Sequence, residues 1–108
     1  QITTWKQHYL ASRIVEAVSR ASNVPWPVLL CHQRKSVLTS TALGVCCVLS
    51  WDECLHPRIM AQALQRTRQN VINQARKYRN YIKAGDKQTI EMYEKAKRLL
   101  ATGSEPQQ

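Results

Sequence analysis

The sequence predicts an all-α fold, a compact bundle of about five to six short helices. Three observations lead there. Apolar residues recur at helical spacing in several separate stretches, and Pro25, Pro57 and Gly85 fall between those stretches. The stretch that would tolerate a strand, residues 39–49, has helical patterns on both sides. With 108 residues the chain suits one domain plus a short tail. Residues 1–102 make the helical domain, and residues 103–108 (GSEPQQ) read as a disordered tail.

The first helix covers about residues 4–21, with Leu10, Ile14, Ala17, Val18 and Ala21 as its buried edge. Ser22 and Asn23 end it, and Pro25 and Pro27, which lack an N–H, forbid its continuation. Pro27 suits the first position of a single turn over residues 27–30. A polar, basic loop follows, His32-Gln33-Arg34-Lys35-Ser36. Residues 39–49 (TSTALGVCCVL) are apolar almost all round, which places that helix at the centre of the bundle. Gly44 costs about 1 kcal/mol of propensity there, and its small size permits close packing. After a connector over residues 51–56, Pro57 opens a short helix over residues 57–64. Gln65 and Arg66 turn, Thr67 caps the next helix, and Gly85 stops it. Asp86 caps a last helix over about residues 87–101, whose buried edge reads as Ile90, Tyr93, Ala96 (or Lys97 by its stem) and Leu100.

Charge narrows the function. Lys and Arg number 16 against 7 Asp and Glu, a formal net charge of +9, which calls for a polyanionic partner. Between Glu53 and Asp86 there is no carboxylate, while Arg58, Arg66, Arg68, Arg76, Lys77, Arg79 and Lys83 all fall in that window. In the helix after Thr67, Val71, Ala75, Tyr78 and Ile82 form one apolar edge. At 100° per residue, Gln69, Asn73, Arg76 and Asn80 then lie on the far side, with Arg66, Arg68 and Asn70 at the first turn. Amide side chains pair with adenine and Arg with guanine across the major groove. Arg76, Lys77, Arg79 and Lys83 fall nearer the phosphates. A short helix, a tight turn and a longer helix make a helix-turn-helix. The expectation is a double-stranded DNA-binding module, a regulator or a mobile-element accessory protein. Its site residues are Arg66, Thr67, Arg68, Gln69, Asn70, Asn73, Arg76 and Lys77.

Residues 14–82 resemble the C-terminal DNA-binding domain of the bacterial replication initiator DnaA. The resemblance rests on an amphipathic stretch at Ile14, Val15 and Val18, the hydrophobic turn Val28-Leu29-Leu30, and the basic loop Arg34-Lys35-Ser36-Val37. It continues through the small-residue helix over residues 39–49 and the helix-turn-helix over residues 59–78. Arg66, Val71, Arg76 and Lys77 match the family's pattern. The resemblance implies a Trp-repressor-like helical fold, binding to duplex DNA, and contacts from Arg34 and Lys35 to a phosphate or the adjacent minor groove. The family signature Asp-His-Thr-Thr-Val is replaced by Thr67-Arg68-Gln69-Asn70-Val71, so the bases are not read in the family's way. The family's Arg-Pro-Arg becomes Thr39-Ser40-Thr41, and these 108 residues hold no GxxxxGK phosphate loop. Origin recognition and ATP-dependent replication are therefore not implied.

Other chemistries find less support. Cys31-His32, Cys46-Cys47 and Cys54-x-His56 lack the paired spacing of a structural zinc site, so no metal is expected. His8, His32 and His56 have no converging nucleophile, glycine-rich loop or paired carboxylates, so neither an enzyme nor a cofactor is expected. Trp26 and Trp51 read as core anchors. No secretory signal opens the sequence, and the longest apolar run, residues 42–49, is too short to span a bilayer. These features fit reduced thiols in a cytosolic protein. The second functional reading is a helical adaptor for an acidic protein, docking through the last helix or a Trp surface. A role at a membrane surface is weaker, because the apolar edge of the basic helix is narrow and holds Ala75 and Tyr78. The last helix covers the core or joins two copies as a homodimer.

Overall fold

Six helices follow one another: α1 (Thr4–Ser22), α2 (Trp26–Leu30), α3 (Val37–Asp52), α4 (Pro57–Leu64), α5 (Arg68–Lys83) and α6 (Lys87–Thr102). The computed structural model describes residues 4–31 and 36–102, and no strand occurs among them. The fold is all-α, as the sequence predicts. Arg34, Lys35 and the 103–108 tail lie outside the described residues. The bundle measures 34 × 29 × 26 Å, with a radius of gyration of 12.8 Å. That is the size of a single compact domain of this length.

The centre is α3, which touches every other helix. Residues 41–50 are buried without a break, because the sequence there offers no polar edge to water. The helix starts at Val37, earlier than the apolar run alone indicates. Ser36 explains the difference, since its hydroxyl accepts the Thr39 backbone N–H at 3.1 Å. It also runs on past the apolar stretch to Asp52. The Ser50 hydroxyl is buried and donates to the Cys47 carbonyl at 2.8 Å. No buried side-chain nitrogen or oxygen among the described residues lacks a hydrogen-bond partner.

Gly44 has a packing role. A Cβ built there falls 2.0 Å from Cδ2 of Tyr78, so the tyrosine ring of α5 occupies the space a side chain would take on α3. The edge Val71, Ala75 and Tyr78 is buried on this side, with Ile82 half-buried beyond it. Burying Val71 alone contributes roughly 1.5–3 kcal/mol, more than the about 1 kcal/mol of a capping bond. Packing therefore sets the rotation of α5, and the cap sets where it starts.

The other termini are built from local chemistry. His56 caps α4, its Nδ1 accepting the Arg58 N–H at 3.0 Å. Gln65 closes α4 in a left-handed conformation, φ 57°. Asp86 accepts the backbone N–H of Thr89 at 3.1 Å and also its hydroxyl. These bonds, side chain first, hold the Asp86 carboxyl below the usual carboxylate range. They also explain a correction in α6. The buried edge there is Thr89, Met92, Ala96 and Leu100, while Ile90 and Tyr93 are only half-buried on its flank. Thr89 goes inside because Asp86 satisfies its hydroxyl. The apolar edge of α6 packs on α1 and α3, and its outward residues Glu91, Glu94, Lys95, Lys97 and Arg98 are charged.

Candidate nucleic-acid interface

Three residues, Gln65, Arg66 and Thr67, join α4 to α5. Thr67 accepts the Asn70 backbone N–H at 3.0 Å, so its hydroxyl is the helix cap. From there Arg68, Gln69, Asn70, Asn73, Arg76, Lys77 and Asn80 are all exposed. Gln69, Asn73, Arg76 and Asn80 share the side of α5 opposite Val71, Ala75 and Tyr78. Gln69 Nε2 donates to Asn73 Oδ1 at 3.1 Å, which couples the two amides. Asn73 keeps its N–H donors, and Gln69 keeps its carbonyl and one N–H. The pair thus retains both donors and acceptors for a base edge.

The flank holds Asn70, Gln74 and Lys77 beside Ser40 and Leu43 of α3, around a recess of about 230 Å³. The Lys77 ammonium sits over the rings of Tyr78 and Tyr81, at 5.6 and 6.0 Å from their centroids. Arg76 borders another recess of about 280 Å³ with Trp51, Leu55, Pro57 and Ile72.

Not every expected cation faces outward. Arg66 is half-buried, and its guanidinium donates to the carbonyls of Leu29, Leu30 and Cys31 at 3.2–3.4 Å, and to that of Leu64 at 3.4 Å. Carbonyls at the end of α2 have no partner within their own helix, and Arg66 supplies one. Its geometry is that of a clamp between α2 and the connection preceding α5. Arg79, expected near the phosphates, instead pairs with Asp52 at the end of α3. Tyr93 of α6 donates its hydroxyl to the same carboxylate. Burial and this hydrogen bond push the Tyr93 phenol above its ordinary value. One carboxylate thus ties α3, α5 and α6 together.

Trp26 packs against the core, as expected. Trp51 does not: its residue is 51% exposed. It stands one residue beyond the buried stretch of α3, beside the polar Asp52 and Glu53, a neighbourhood that could have marked it as a surface residue. Trp51 borders an open groove with Asp52, Arg76, Arg79, Asn80 and Lys83.

Cys46 and Cys47 are buried in α3, and burial pushes the Cys47 thiol up to about 12. No group of three His, Cys, Asp or Glu residues among the described residues is placed to hold a metal ion. No described helix is long and apolar enough to cross a membrane. The chain matches no protein-family model, no curated protein and no solved structure.

Proposed function

We propose that the protein binds double-stranded DNA, with α4 and α5 acting as a helix-turn-helix and α5 entering the major groove. One observation carries this reading. The carboxylate-free helix α5 exposes Gln69, Asn73, Arg76 and Asn80 on one side while Val71, Ala75 and Tyr78 anchor the other in the core. Base reading falls to the Gln69–Asn73 amide pair. Arg68, Arg76, Lys77 and Lys83 take phosphates, and Thr67 fixes the helix terminus that approaches the strand. Arg66 acts from behind, by holding the connection in place. The reading extends to the resemblance with the DNA-binding domain of DnaA: a shared arrangement for duplex binding with a different base preference.

The test is duplex binding at two salt concentrations with Gln69→Ala, Asn73→Ala and Arg76→Ala. With about five phosphate contacts, log affinity falls against log salt with a slope of about −4.5. The amide substitutions flatten sequence preference. Affinity independent of salt defeats the proposal. The second reading, an adaptor for an acidic protein, draws on Trp5 and Tyr9, which lie 65% and 52% exposed near the start of α1. It would be favoured if loss of those two rings, and not of the α5 amides, abolished binding to a polyanionic partner.

A further inference from the structure

The groove at the end of α3 joins two kinds of chemistry. One wall carries the indole of Trp51, half of whose residue surface is open to water. The other is the α5 ridge Arg76, Asn80 and Lys83, whose spacing of four and three residues keeps them on one side of the helix. The space between is about 620 Å³. Asp52 is the carboxylate in this groove, and Arg79 and Tyr93 already engage it. Arg76, Arg79 and Lys83 set against Asp52 leave the groove net positive.

A nucleic-acid strand matches this pattern, because it alternates an apolar sugar with an anionic phosphate. The seven steps of helix from Arg76 to Lys83 rise about 10 Å. Along one strand of DNA that is the axial rise of about three nucleotides. Arg76 and Asn80 also belong to the side of α5 proposed to enter the groove, so the two surfaces are continuous.

We infer that Trp51 is a DNA-contacting residue: its indole packs on the sugar–phosphate strand flanking the major-groove site, between phosphates held by Arg76 and Lys83. This rests on the DNA-binding reading of α5 and extends it to a second element. Affinity then has an apolar contribution that salt does not screen.

The experiment uses the full chain and a mixed-sequence duplex of about two helical turns. Trp51→Ala weakens binding about ten-fold, with the salt slope unchanged and the helical circular dichroism intact. Trp51→Phe recovers most of the loss, whereas Lys83→Ala lowers the slope by about one. In a Trp5→Phe, Trp26→Phe chain the emission of Trp51 is quenched by the duplex. If Trp51→Ala binds the duplex like the parent, the inference is overturned and the α5 reading stands. The same holds if Trp51 emission does not change in a chain that binds. If the parent binds no duplex, or polyglutamate quenches Trp51 equally well, both readings fall.

Discussion

The ring of Tyr78 occupies the space where Gly44 has no side chain. A Cβ on Gly44 meets three atoms of that ring at 2.0–2.4 Å. The contact fixes how closely the central helix and the basic helix approach, and hence how far the Gln69–Asn73 side projects. Substituting Gly44→Ala gains about 1 kcal/mol of helix propensity and loses more by displacing a buried ring. The expected net destabilisation is about 1–3 kcal/mol, read from urea midpoints. Combining it with Tyr78→Ala should reveal strong non-additivity, because the second change opens the space the first one needs. Simple additivity would contradict the packing.

Arg66 is a stabilising residue even if a duplex lies nearby. Arg66→Ala removes charged hydrogen bonds to carbonyls at the end of α2 and should cost about 1.5–3 kcal/mol. Arg66→Lys should not rescue it, since an ammonium lacks the fork that spans three carbonyls. Arg76→Ala, at an exposed position, should leave the unfolding midpoint nearly unchanged. Equal stability losses for the two arginines would show that the clamp is unimportant.

Gln65 adopts φ 57° between α4 and α5, where a side chain is disfavoured. Gln65→Gly should raise stability by about 0.5–1 kcal/mol without moving either helix. A loss of stability on thermal unfolding would mean that the Gln65 side chain contributes more than its backbone costs.

Alkali should unfold the protein gradually. Burial raises the Cys47 thiol from 9.0 to about 12, and raises Cys46 and Tyr78 as well. These are acids whose neutral form the fold favours. Above pH 9 the unfolded chain releases protons that the folded chain retains, so stability falls from there towards about pH 12. Cys46→Ala with Cys47→Ala should flatten the lower part of this slope in pH-dependent urea titrations. An unchanged slope would assign the effect to the tyrosines.

Much of the chain was legible where the signals are local. Pro57 and Thr67 mark the starts of α4 and α5 because a proline ring and a hydroxyl cap act within one turn. Val71, Ala75 and Tyr78 declared their side by spacing alone. The errors have a tertiary cause. Ile90 ranks above Thr89 by hydropathy, yet Thr89 is inside because Asp86 takes its hydroxyl. Arg66 reads as a DNA-contact residue at the first turn, and only the return of the α2 terminus beside it shows that it has acceptors within the fold. Trp51 reads as a core residue by its large apolar ring, and the polar Asp52 and Glu53 beside it are the weaker sign that the end of α3 emerges at the surface.

The burial of α3 on every side has a consequence for synthesis. Its apolar surface needs α5 and α6, which leave the ribosome after it. Until they arrive, Ala42 to Leu49 is an oily segment with only α1, α2 and α4 to shelter it, and a nascent chain halted there invites aggregation.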